Sequence, residues 1–180
     1  KPEEAQLIPS GRLREPIERL KQANAILLTR CESASKEQID FWLKWLNDKA
    51  PSIPIIKTHT LCEGLFKPDG KLSKFDNNTN LMAFSAIGRP ESFYAQLEQC
   101  GYEIASKKEF RDHHRFLDSE LEKLLKEASE NNLTLVCTEK DAIKIKPEMA
   151  EKMNLNVLRI KSEPVSGRSF FEELGLNNAL

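Results

Sequence analysis

The string Phe110-Arg111-Asp112-His113-His114-Arg115-Phe116 holds two of the chain's three histidines. An imidazole moves a proton near neutral pH, and a carboxylate beside it raises its basicity and fixes its tautomer. Neighbouring residues in an extended loop point in different directions, so Asp112 is a poor partner for His113. A carboxylate from elsewhere suits His113 better. The alternative is a polar loop whose histidines cap backbone groups and whose two phenylalanines anchor it. No further histidine or acid cluster completes a coordination shell, so no metal site is expected in this chain.

Other spacings invite anion chemistry. Leu13-Arg14-Glu15-Pro16 sets an arginine, the side chain suited to bidentate phosphate contacts, next to a glutamate and a stiff proline. The competing reading is a solvated surface pair. Thr138-Glu139-Lys140-Asp141 follows an apolar run, and Thr138 and Asp141 form a plausible capping pair. A helix starting there would also favour an anion near Thr138, Lys140 and Asp141, so that segment reads as anion-binding or structural. Ser85-Ala86-Ile87-Gly88-Arg89-Pro90 is a similar strand-to-helix turn. His59 reads as a packed or surface imidazole. There is no G-x-x-x-x-G-K-[ST] loop, no G-x-G-x-x-G and no G-x-S-x-G, so no complete nucleotide-triphosphate site is encoded here.

The elements that must carry these residues alternate in type. Residues 25–29 form a buried strand candidate. The pair Ser35 and Gln38 then opens a helix carrying Ile39, Trp42, Leu43 and Leu46. Residues 53–58 read as a second strand. Between residues 60 and 80, Pro68-Asp69-Gly70 marks the turn of an inserted β-hairpin, and Asn77-Asn78-Thr79-Asn80 marks a loop. Residues 81–87 form a core strand. Pro90 opens a helix with Phe93, Leu97 and Cys100, and Gly101 stops it. A strand over 102–106, a charged loop and a helix with Leu121, Leu124, Leu125 and Ala128 follow. Residues 133–137 and 156–160 read as further strands, and a last helix carries Phe170, Phe171 and Leu174. The fold class is therefore α/β: a mostly parallel sheet with helices on both faces, three layers in all, plus the hairpin.

Composition narrows the partners. The 180 residues contain 27 Lys and Arg against 28 Asp and Glu, a net charge of −1. That balance gives no basic field for wrapping nucleic acid. The apolar runs at 25–28 and 133–137 fall far short of the roughly 20 residues that cross a bilayer. Four cysteines lie at positions 31, 62, 100 and 137, too scattered for a zinc site or a disulfide scaffold, so the expectation is a reduced, cytosolic chain. Cys31 and Cys137 end apolar runs and read as small buried hydrophobes. The chain starts at Lys1 and not at a methionine, which suggests a piece of something longer.

Four segments in order resemble the C-terminal part of the tetraacyldisaccharide 4′-kinase family, the lipid A 4′-kinases of Gram-negative bacteria. They are the stretch from Leu7 to Pro16, the stretch from Phe84 to Phe93, the string from Phe110 to Phe116, and Thr138-Glu139-Lys140-Asp141-Ala142. The resemblance covers most of the chain and departs at Arg12 and Arg111, where the family is expected to carry proline. It implies residues 1–24 as a cleft-edge linker from a missing N-terminal P-loop domain and 25–180 as a C-terminal α/β domain. The hairpin over 60–80 would then contribute to an interdomain ribbon. It implies transfer of the ATP γ-phosphate, with Mg²⁺, to the 4′-hydroxyl of a lipid A disaccharide precursor. Membrane contact, at the cytoplasmic face of the bacterial inner membrane, would be made by the missing part, and this chain alone would be soluble, inactive and without a bound cofactor. His113 matches the family histidine that pairs with an upstream catalytic carboxylate. Asp112 flanks it on the catalytic side. Arg14, Glu15 and His114 fall at the nucleotide and substrate cleft.

Two other readings stay open. Asp112-His113-His114 also resembles the signature of DHH phosphoesterases, which hold Mn²⁺ with several further aspartates at strand ends. A non-catalytic α/β interaction module is the second.

Overall fold

The run Thr134-Leu135-Val136-Cys137-Thr138 forms strand β5 (Thr134–Thr138), and its three central side chains are at most 2% exposed. Burial of successive residues means both faces are covered, as the continuous apolar run demands. β5 pairs in parallel with β3 (Asn80–Ser85) on one side and β6 (Asn156–Pro164) on the other. β3 pairs in parallel with β4 (Glu103–Glu109). Met82, Phe84, Leu135 and Cys137 point to one face, where they pack with Leu121, Leu124 and Ala128 of α3 (Asp118–Glu130) and Ala150 of α5 (Pro147–Lys152). Leu81, Ala83 and Val136 point to the other face, against Phe93, Tyr94 and Leu97 of α2 (Pro90–Gln99). The period of two along each strand thus builds the expected three layers. The chain is α/β with six strands, mostly parallel, among the described residues.

This is a computed structural model, and it describes residues 6–11, 13–75 and 79–175. Arg12, Asn77 and Asn78 lie outside them. The chain divides into two compact units. Unit 1 comprises Lys1–Leu61 and Ser162–Leu180, and unit 2 comprises Cys62–Lys161. β2 (Ile55–Phe66) and β6 each run through both.

In unit 1, β1 (Ile26–Leu28) pairs in parallel with β2, with Ile26 beside Ile55. The expectation of a buried strand fails here, because Leu27 is 51% exposed. β1 has a neighbour on one side only among the described residues, so one edge stays uncovered. α1 (Lys36–Lys49) begins with the expected capping box. The Gln38 N–H donates to Ser35 Oγ at 3.3 Å, and the Ser35 N–H donates to Gln38 Oε1 at 2.9 Å. The final helix, α6 (Phe170–Glu173), is a single turn.

β2 continues well past Thr58, the expected end. The hairpin follows it: the Gly70 N–H donates to the Lys67 carbonyl at 2.8 Å, and Phe66 bridges Leu72 in antiparallel fashion. Gly70 sits at φ +89°, the left-handed region that favours glycine. This extension overturns the reading of four thiols. It carries Cys62 beside the end of α2, where Cys62 and Cys100 form a disulfide with their Cα atoms 6.0 Å apart. Their 38-residue separation has no local signature. Cys31 and Cys137 remain free and buried, as expected. Burial also pushes the Cys137 thiol well above its ordinary value, which keeps it neutral.

Candidate functional site

Ligands of parallel α/β sheets collect at the carboxyl ends of the strands. In unit 2, three of the singled-out segments leave those ends: 86–89 after β3, 110–117 after β4 and the start of α4 (Glu139–Ala142) after β5. Backbone hydrogen bonds join the first two, from the Phe110 N–H to the Ser85 carbonyl at 2.9 Å and from the His113 N–H to the Ala86 carbonyl at 3.1 Å. Gly88 leaves room for Asp112, since a Cβ on Gly88 would lie 3.1 Å from Asp112 Oδ2.

His113 has φ +59°. A left-handed backbone at a residue with a Cβ costs about 1–2 kcal/mol and persists only where surroundings impose it. The turn swings the ring outward, and the side chain is 92% exposed. It also brings Asp112 Oδ2 to 3.8 Å from His113 Nε2, closer than an extended loop allows, though beyond a hydrogen bond. The imidazole is therefore free to meet an acid from outside this chain.

His114 has a different post. Its Nε2 lies 2.8 Å from Glu120 Oε2, and its ring stacks on Phe110 at 5.2 Å and meets Phe116 edge-on. Glu120 Oε2 also accepts the Leu117 N–H at 2.8 Å, capping the start of α3. His114 thus anchors the loop to a helix, the structural role weighed for a histidine of this string. The Leu117 N–H and then His114 hold the Glu120 carboxyl below the usual glutamate range. A lowered folded-state value means the cap contributes fully above the unfolded glutamate value and is lost as pH falls through the folded one. Thermal stability is expected to decline on acidification below about pH 4. Glu120→Gln should flatten that part of a Tm-versus-pH profile, and an unaltered profile would refute the assignment.

Thr138 caps α4, accepting the Asp141 N–H at 3.2 Å. Asp141 is fully buried. Its Oδ2 accepts from Thr138 Oγ1 at 2.8 Å and from the Ala86 N–H at 3.0 Å, and its Oδ1 receives Lys144 Nζ at 2.7 Å. Lys140 is exposed. Of the anion-or-structural trio, Thr138 and Asp141 are therefore engaged in the protein itself. Lys144 and Glu120 escaped the sequence reading. Their spacings of three from Asp141 and from Leu117, the residue that precedes α3, are the signals that could have found them.

Arg14 and Glu15 belong to unit 1, and the loops described above belong to unit 2. Both are exposed, and Glu15 pairs with Arg19 at 3.2 Å. Gly11, in the same segment, backs directly onto the Gln6 carbonyl, where a Cβ would collide. Unit 1 also has a cavity of about 410 Å³ lined by His59, Cys31, Glu32 and Lys57 among others.

The family model for Tetraacyldisaccharide-1-P 4′-kinase (LpxK) matches residues 2–176. A tetraacyldisaccharide 4′-kinase of Anaeromyxobacter dehalogenans is 31% identical over 172 residues, 92% of this chain and 45% of the relative. One from Chlorobaculum tepidum is 33% identical over 150 residues, 82% of this chain and 41% of the relative. A crystal structure of LpxK from Aquifex aeolicus in complex with ATP superposes with a TM-score of 0.60 at 21% identity, over 96% of this chain and 47% of that one. The chain thus spans less than half the length of these relatives. At that identity the structural likeness speaks for the fold, while the sequence matches settle the lineage: the chain belongs to the tetraacyldisaccharide-1-P 4′-kinase family.

Proposed function

We propose that this chain is the C-terminal part of a kinase that moves the γ-phosphate of ATP to the 4′-hydroxyl of a tetraacyl disaccharide 1-phosphate. The acceptor oxygen forms the new bond to phosphorus, the bond to ADP breaks, and the hydroxyl proton passes to a carboxylate carried by the preceding part of the enzyme. His113 supplies the imidazole that pairs with that carboxylate and tunes it as a base, with Asp112 beside it. The observation that carries this reading is the His113 ring, held in a left-handed turn at the strand ends and 92% exposed. Leu117, in the loop after β4, and Ile143, directly after α4, are uncovered apolar side chains at 61% and 85% exposure. A companion lobe would bury such groups.

The described residues of this chain do not fit a magnesium nucleotide. No group of three or more His, Cys, Asp or Glu placed to hold a metal occurs among the described residues, and the sequence lacks a phosphate loop. We therefore assign the phosphate cradle, the metal-binding acids and the P-loop domain to the preceding part, with residues 1–24 as the linker at the cleft edge. Arg14 and Glu15 would then border the nucleotide, with Arg14 available to phosphoryl charge. The enzyme would work at the cytoplasmic face of the bacterial inner membrane, held there by that same part. No helix among the described residues is long and apolar enough to cross a membrane.

Incubating the protein carrying both parts with γ-labelled ATP, Mg²⁺ and the disaccharide 1-phosphate should place label on the acceptor's 4′ position. The 180-residue chain alone should transfer none. Absence of transfer by the joined protein, or Mn²⁺-dependent phosphoester hydrolysis by this chain alone, would overturn the proposal.

A further inference from the structure

The chemistry assigned to His113 depends on where its ring is aimed, and its own loop does little to fix that. The exposed side chain has no packing to hold it, and its backbone lies in a region that costs a residue with a Cβ. At His113 itself, the turn is tied to the segment leaving β3 by the bond from the His113 N–H to the Ala86 carbonyl. Both backbone groups of Ala86 have further partners. Its N–H donates to Asp141 Oδ2 at 3.0 Å, and Lys144 Nζ reaches its carbonyl at 3.5 Å.

Asp141 needs another explanation than helix capping. Thr138 already caps α4 with its own hydroxyl. A fully buried carboxylate is costly unless it is hydrogen-bonded, and here three donors reach it at this junction. Two of them, the Ala86 N–H and the Lys144 ammonium, come from the residue whose carbonyl accepts the His113 N–H or from the cation that contacts that carbonyl.

We propose that Asp141, acting with Lys144, is a positioning residue for His113: Asp141 fixes Ala86 through its N–H, Lys144 steadies the carbonyl of the same residue, and that carbonyl holds His113 in the left-handed turn that points its imidazole outward. This rests on the reading of His113 given above. Asp141→Asn tests it sharply. A carboxylate only accepts, whereas an amide must present an NH₂ on one side. Turned one way the NH₂ faces the Lys144 ammonium and the pair that anchors Lys144 is lost; turned the other it faces the Ala86 N–H and that bond is lost, so one of the two contacts that steady Ala86 is weakened in either rotamer.

The first measurement is NMR on the 180-residue chain. In Asp141→Asn the His113 amide should exchange about tenfold faster or more, the loss of a buried hydrogen bond worth that factor. Its Cα and Cβ shifts should also leave the left-handed range, with β6 amides still protected. If that variant does not fold, Lys144→Met keeps the Asp141 bond to Ala86 and should produce a smaller change in the same direction. Unchanged His113 signals in a folded variant would overturn the proposal. The second measurement is a double-mutant cycle in the intact kinase. Asp141→Asn alone should lower kcat about tenfold without raising the KM for ATP, and should cost nothing further in a His113→Ala background. Additive losses would overturn the proposed link. If His113→Ala leaves kcat untouched, the role given to His113 falls, and the NMR result judges the positioning of its turn independently.

Discussion

His113→Ala in the intact kinase is expected to lower kcat by roughly 10²–10⁴-fold, the range for removing a group that assists proton transfer. The KM for ATP should hardly move, because the ring is not placed to grip the nucleotide in this reading. Stability should change by no more than about 0.5 kcal/mol, since the side chain is almost wholly in solvent. Its exposure of 92% is the reason. A second variant separates ring from backbone. Asparagine tolerates the left-handed region, so His113→Asn keeps the turn and removes only the imidazole. It should lose as much activity as alanine does. A kcat within twofold of the parent in both variants would mean that no proton passes under this residue's influence.

The second large effect concerns stability. Phe84 is fully buried, in the cluster with Leu121, Leu124 and Leu135, and meets Phe116 edge-on at 5.6 Å. Truncating such a phenylalanine removes its transfer free energy and leaves a void that close-packed neighbours fill only partly. Phe84→Ala should therefore cost about 3–5 kcal/mol in urea unfolding. The damage should also reach the functional loop. Phe116 packs against Phe110 at 5.1 Å and against His114, so the void opens beneath the string that carries His113. A loss below about 1 kcal/mol would show that this face of the sheet is not the core of unit 2.

The parallel α/β architecture was legible because burial leaves a mark on each strand and helix by itself. Leu135-Val136-Cys137 is apolar at successive positions because both faces are covered, and α3 repeats leucines at helical spacing because one face is. Ser35 with Gln38, Thr138 with Asp141, and Pro90 with Gly101 marked element ends because capping is decided within a few residues. The length of β2 was not legible. Its continuation past Thr58 depends on pairing partners far along the chain, and its residues do not keep a clean alternation. The buried reading of β1 failed for the same reason, since a strand's sequence does not state how many neighbours it will have.

The candidate site divides along the same line. His113 and Asp112 stood out by residue type, and the four ordered segments pointed to the family before any geometry was known. What residue types could not convey was which of them meet. Asp141 and Ala86 lie 55 positions apart, and Cys62 and Cys100 lie 38 apart. His114 and His113 are adjacent, yet one ring is stacked and paired with Glu120 while the other stands in solvent. From its sequence alone this protein's layers, caps and lineage follow, because local preferences and burial periods act within a few residues. Only the tertiary structure decides that a buried aspartate holds the N–H of Ala86, whose carbonyl accepts the amide of an exposed histidine. Hydrogen bonds between distant segments have no period to read and form only once the sheet has brought the strand ends together.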